Sequence, residues 1–194
     1  MPVLDSSHRI LLENLESYQL AQQCMGEIET TIWEVAHGVK DGIANPPGLP
    51  LVWNSDQRQG WFQADAFPNW DGSSKHLIAV GIEDISVANL LTPDAGAPCR
   101  AFIYTHMEAA SNEAAKRPEI RSQLSALVPP KGFVPSAQDG YIFVKPLGNL
   151  SVDSLLSRAG LKAVFHDQMR ELIDWLAAHR LAIEALGKRG KTKR

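Results

Sequence analysis

Apolar residues recur along this chain with two different periods. From Arg9 to about Val39 there is no proline, and Leu11, Tyr18, Met25 and Ile32 lie seven apart. Ala21, Ile28 and Val35 form a second row at the same spacing. Together the rows make one stripe with steps of three and four, which predicts a long amphipathic helix that Ser6 or Ser7 can cap. Gly26 weakens its middle and marks a place where it can break or kink. Gly38 and Gly42 end it, and Asn45-Pro-Pro-Gly48 forbids its continuation.

The middle of the chain changes to the short period of strands. Leu51 to Trp53 reads as a strand, followed by turn chemistry at Asn54-Ser-Asp56. Gly60 to Phe67 alternates loosely. That pattern predicts Trp61 and Phe67 inward, Gln63 and Asp65 more exposed, and Trp61 and Phe62 on opposite faces. Pro68 to Ser74 is a turn with Asp71-Gly72 at its tip. His76 to Ile85 is almost continuously apolar and predicts a central strand. Thr92 to Pro98 is a loop, and Arg100 to Met107 is the next strand.

Glu108 to Leu127 is alanine-rich and helical in propensity, but Pro118 divides it. Phe133-Val134 and Tyr141 to Lys145 then predict a hairpin around Gln138-Asp-Gly140. Ser151 starts another helix, and Gly160 separates it from the last one. That final helix carries Leu161, Phe165, Gln168, Leu172, Trp175, His179, Ala182 and Leu186 at alternating steps of four and three, and Gly187 ends it.

Strands separated by turns favour antiparallel pairing, and two long apolar helices supply area to cover one sheet face. The expected fold is therefore α+β: a single domain over residues 1–187, with a mainly antiparallel sheet of about five strands flanked by long N- and C-terminal helices. The helices can pack on each other, on the sheet, or across a dimer.

The chain has 194 residues, enough for one ordinary domain. Its 44% hydrophobic content excludes wholesale disorder. No run of apolar residues is long enough for a transmembrane helix, and MPVLDSSHR lacks the basic start and apolar core of a secretory signal. Cys24 and Cys99 show no metal-binding spacing and fit a reducing, cytoplasmic location. The net charge of −3 hides an asymmetry. Residues 188–194 form a basic tail in which Lys188, Arg189, Lys191, Lys193 and Arg194 are positive; the rest of the chain holds 14 positive against 22 negative side chains, or −8. Such a tail can add weak, sequence-independent contact with nucleic acid.

Catalytic motifs are scarce. There is no GxGxxG, no GxxxxGK[ST], no HExxH and no GxSxG. His106-Met-Glu108 has the HxE spacing of zinc deaminases but no downstream PCxxC. Asp65, Glu83 and Asp84, with His76 or His106 as base, are candidates for a Mg²⁺-dependent phosphodiesterase. The (E/Q)xK element of PD-(D/E)xK nucleases is missing, so that constellation lacks its lysine. The aromatic concentration is the other candidate. Trp53, Trp61 and Trp70 fall within 18 residues, and tryptophan is enriched at recognition surfaces as well as in cores. The leading expectation is a non-enzymatic binding or regulatory domain with no cofactor. It would meet a protein partner, or a second copy, through an aromatic surface near Trp61 and Trp70.

Overall fold

A computed structural model describes residues 10, 12–68, 76–92, 98–105 and 117–189, with the backbone alone at 117 and 187–189. The elements, in chain order, begin with α1 (Leu15–Gly42), β1 (Val52–Asp56), β2 (Trp61–Pro68) and β3 (His76–Glu83). Next come α2 (Val87–Leu91), β4 (Arg100–Thr105), α3 (Arg117–Ser125), β5 (Val134–Pro135) and β6 (Tyr141–Pro146). The C-terminal part contains α4 (Val152–Leu156), α5 (Arg158–Lys162), a π-helical turn (Ala163–Asp167), α6 (Gln168–Ala178) and α7 (Arg180–Arg189).

The α+β expectation holds, with six strands rather than about five. The sheet order is β1-β2-β3-β4-β6-β5, and every neighbouring pair is antiparallel. Because side chains alternate across a strand, the register assigns each residue to one of two faces. Phe62, Ala64 and Ala66 of β2 share a face with Ile78, Val80 and Ile82 of β3 and with Ala101 and Ile103 of β4. All are buried. The C-terminal helices cover this first face: Phe165 in the π turn meets Phe62 edge to face at 6.0 Å, and Trp175 of α6 meets Phe143 of β6 at 6.2 Å. The Trp175 indole also donates to the Val128 carbonyl at 2.6 Å, tying α6 to the segment after α3.

Several local expectations need correction. Asn54-Ser-Asp56 is not a turn but the end of edge strand β1. The chain turns at Gln57–Gly60, where the Asp56 carboxylate accepts from the Arg58 and Gln59 amides. The polar composition of this segment suits an edge strand as well as a turn, since an edge exposes its side chains. Gly26 does not break α1, which is continuous from Leu15 to Gly42. Phe62 points into the helix-covered core and Trp61 away from it. Asp65 is buried rather than exposed. The break in the C-terminal helices falls at Ser157, whose hydroxyl accepts from the Gly160 amide; Gly160 itself lies inside α5. A Cβ there would sit 2.4 Å from the Ser154 carbonyl oxygen, so close packing is what requires the glycine. Gly187 does not end the last helix, which continues to Arg189. Cys24 is exposed and Cys99 buried, and both are free thiols.

Other expectations hold. His76 opens the central strand, and β5 and β6 form the hairpin. Pro118 lies in the first turn of α3, and the helix expected before it falls outside the described residues. Ser151 caps α4 by accepting from the Ser154 amide. The cap at Ser6 or Ser7 and the turn at Asp71-Gly72 lie outside the described residues. No helix among the described residues is long and apolar enough to cross a membrane.

Replacing Trp175 by phenylalanine keeps the ring against Phe143 but leaves the Val128 carbonyl without its donor. We expect Trp175→Phe to lower the unfolding free energy by about 1–3 kcal/mol in urea titration, with an unchanged slope. A loss near zero would mean that the indole bond does not hold α6 in place.

Candidate functional site

The second face of the sheet has a different composition. The same register places Asn54 of β1, then Trp61, Gln63 and Asp65 of β2, on this face. Ala79, Gly81 and Glu83 of β3 lie beside Arg100, Phe102 and Tyr104 of β4, and Tyr141 of β6 completes the face. Trp61, Gln63, Glu83, Arg100, Tyr104 and Tyr141 are half-buried and Asn54 is exposed. The face is therefore richer in polar side chains than the first, with Asp65, Ala79 and Phe102 buried on it.

Gly81 makes this arrangement possible. A Cβ there would lie 2.7 Å from the Gln63 Cβ and 2.8 Å from the Phe102 ring, so only a glycine lets that ring lie across β3. Gly140, with φ of 78°, does the same for Tyr104, whose ring occupies the space a side chain would need. Phe102, Tyr104 and Tyr141 then meet edge to face, with Tyr141 5.8 Å from Phe102 and 5.1 Å from Tyr104.

At one end of this face one residue from each of three strands and Gln138 of the β5–β6 turn form a network. Arg100 Nε lies 2.5 Å from Glu83 Oε1, and the Tyr141 hydroxyl donates to Glu83 Oε2 at 2.7 Å. The Arg100 guanidinium stacks over the Tyr141 ring at 4.7 Å and donates to Gln138 Oε1 at 3.0 Å. Asp84 lies 3.8 Å from Arg100 Nε and holds φ of 57°, a left-handed conformation that an aspartate tolerates better than most residues. Arg121 of α3 fixes the hairpin from its other side, donating to the carbonyls of Ser136 and Gln138 at 3.1 and 2.9 Å.

Further along the same face the Asp65 carboxylate accepts from Asn54 Nδ2 at 2.7 Å and from Gln63 Nε2 at 2.8 Å. Asp65 and Glu83 do share a face. They lie four residues apart in register on neighbouring strands, about 14 Å by strand geometry. His76 stands at the opposite end of β3 from Glu83, about 23 Å away by the same rise. Thus only Glu83 and Asp84 of the candidate metal ligands come together, and Glu83 is occupied by Arg100 and Tyr141. Among the described residues no three histidine, cysteine, aspartate or glutamate side chains are grouped to hold a metal ion. Trp70, His106, Lys191, Lys193 and Arg194 lie outside the described residues, as do the side chains of Lys188 and Arg189. Trp61 is on the second face as an aromatic reading requires, its indole donating to Gln59 Oε1 at 3.2 Å.

Two grooves lie elsewhere. One, of about 480 Å³, runs between α1 and the α5–π segment, with Arg158, Lys162 and Arg170 opposed by Glu34 and Asp167. Its charges nearly cancel, and its buried His166 is held by Gly42 O and Asp167. The other, of about 200 Å³, lies where His37 and Lys40 of α1 face Trp53 and Ser55 of β1. Neither groove gathers a nucleophile with a base. Sequence reasoning did not find Arg100, Tyr141 or Gln138, because only the strand register brings them to Glu83.

Comparison with known families, with characterised proteins and with solved structures finds no match to this chain.

Burial raises the Tyr141 hydroxyl above the usual phenol range, and its bond to Glu83 raises it further. Burial, then the charges of Asp84 and Glu83, push the Cys99 thiol up to about 12 from 9.0. Both groups are neutral in the fold and ionise sooner in the unfolded chain. The stability linked to them is complete below pH 9 and is lost as pH climbs from 9 towards 12. We expect the urea midpoint to fall steadily over that window, and to fall less steeply above pH 10 in Tyr141→Phe. A midpoint independent of pH up to 11 would contradict the buried network.

Proposed function

We propose that this chain is a non-enzymatic binding or regulatory domain that recognises a protein partner through the second face of its sheet. One observation carries the reading. A face that could have been a second apolar layer instead presents half-buried Trp61, Tyr104 and Tyr141 around Gln63, Asn54 and the Arg100–Glu83 pair, with buried Phe102 beneath them. Aromatic and arginine side chains are the usual anchors of protein interfaces, because they offer large contact area with little rotamer entropy to lose. The network supports this use: Glu83, Gln138 and Tyr141 hold the Arg100 head in place before a partner arrives, so less order must be imposed on binding. Both Glu83 oxygens are already engaged, by Arg100 and by the Tyr141 hydroxyl, which favours recognition over hydrolysis.

The reading has two subsidiary parts. The basic run Lys188, Arg189, Lys191, Lys193 and Arg194 would add salt-sensitive contact with nucleic acid to a partner complex. The domain would work in the cytoplasm, where two free thiols persist.

A photo-crosslinking phenylalanine analogue placed at Trp61 or Gln63 of the full chain in its native cells should yield one discrete adduct. The same probe at Val152, exposed on α4, should yield none. With the crosslinked protein purified, Trp61→Ala should weaken binding about tenfold or more, roughly 1.4 kcal/mol, at an unchanged unfolding midpoint. Adducts from Val152 alone, or undiminished binding by Trp61→Ala, would reject the face as the site.

A further inference from the structure

The two edges of the sheet differ in how they end. β5 closes one side with two residues, and one of them is Pro135, which has no N–H to offer. β1 closes the other side with five residues, Val52–Asp56, in unbroken antiparallel register with β2. It contains no proline, no lysine and no bulge, the usual devices that blunt an edge. In an antiparallel pair, alternate residues of an edge strand turn both N–H and C=O away from their neighbour. Among the described residues, β1 makes no backbone hydrogen bond beyond the sheet ladder. Its outward groups are therefore open to a further strand.

The side chains beside this edge ask for more than a backbone. The register puts Trp53 and Ser55 on the first face, opposite Ala64 and Phe62. There the groove of about 200 Å³ separates them from Ala36, His37 and Lys40 of α1. A strand added to β1 sends every second side chain to this face, beside the groove. No aspartate or glutamate lines it. His37 rests edge-on against Trp33 at 5.5 Å. Lys40 is exposed and has no carboxylate in ion-pair distance among the described residues, so its ammonium is left to meet an acidic group from outside.

A second copy of the chain does not supply that group. Two β1 edges paired about a two-fold axis, continuing the sheet, would keep like faces on the same side. The copy would bring its Trp53 and Ser55 to the first face and its Asp56 to the other. Neither Trp53 nor Ser55 offers Lys40 a carboxylate.

We propose that β1 binds an extended segment of a partner protein by strand addition, with an aspartate or glutamate of that segment on the first face, against Lys40. Backbone bonds to β1 give the affinity, and Lys40 selects the acidic residue. This site lies at the edge of the sheet and does not depend on the role of the second face.

The probe is a displayed library of random linear octapeptides, selected against the full chain. Enriched sequences should carry Asp or Glu at a fixed position and no proline beside it. A synthetic peptide of the leading sequence should slow amide hydrogen exchange at alternate residues of β1 but not at Val134 of β5. Lys40→Glu should weaken that peptide about tenfold or more, and a peptide with lysine in place of its acidic residue should recover binding to this variant. Lys40 is exposed, so the variant should fold, as an unchanged near-ultraviolet tryptophan spectrum would report. A library that yields no binder, or binders without an acidic residue, would overturn the proposal. So would a peptide that Trp61→Ala releases and Lys40→Glu spares, because it would belong to the second face.

Discussion

Everything in this fold depends on the alternation of β2. Along that one strand Phe62, Ala64 and Ala66 point to the helices, while Trp61, Gln63 and Asp65 point the other way. The small alanines leave room for large side chains from the helical layer, and Phe165 meets Phe62 edge to face. A shift of one residue in register would bring Asp65 and Gln63 into the apolar layer, so the pattern fixes the pairing strongly. The π turn is part of the same device. It carries Phe165 to the sheet and His166 to the Gly42 carbonyl at the end of α1, so one irregular turn locks both long helical segments.

The second face is organised by smallness and charge. Gly81 and Gly140 admit the rings of Phe102 and Tyr104, and Glu83 draws Arg100 and Tyr141 together. Partly buried charge is tolerated here because both carboxylate oxygens of Glu83 are satisfied. Asp65 is satisfied in a different way: its carboxylate accepts from the side-chain amides of Asn54 and Gln63.

Much of the fold was legible in the sequence. The near-continuous apolar run of β3 marked it as central, and the residues it turns to the second face, Ala79 and Gly81, are small enough to keep that run unbroken. The stripe of the C-terminal helices was legible, but not their interruptions at Ser157 and the π turn. A regular three-four spacing does not reveal where hydrogen bonds skip. β1 was partly hidden because edge strands share their polar composition with turns. The phase of β2 was readable from Ala64 and Ala66 against Gln63 and Asp65, yet two adjacent aromatic residues obscured it. The site was less legible still. Glu83 and Trp61 stood out, but Arg100 is 17 residues and Tyr141 is 58 residues from Glu83, and only strand pairing closes those gaps.

The central claim is that the two faces of one sheet differ: the first holds the fold, and the half-buried side chains of the second, Trp61 among them, contribute much less to it. Adjacent residues of β2 test it most directly. The measurement is the unfolding free energy of Phe62→Ala and Trp61→Ala under identical conditions. The account predicts a loss of about 3–5 kcal/mol for Phe62→Ala, as for other buried phenylalanines, and less than about 1 kcal/mol for Trp61→Ala. Equal losses at the two positions would contradict it, because the second face would then be as much a part of the core as the first.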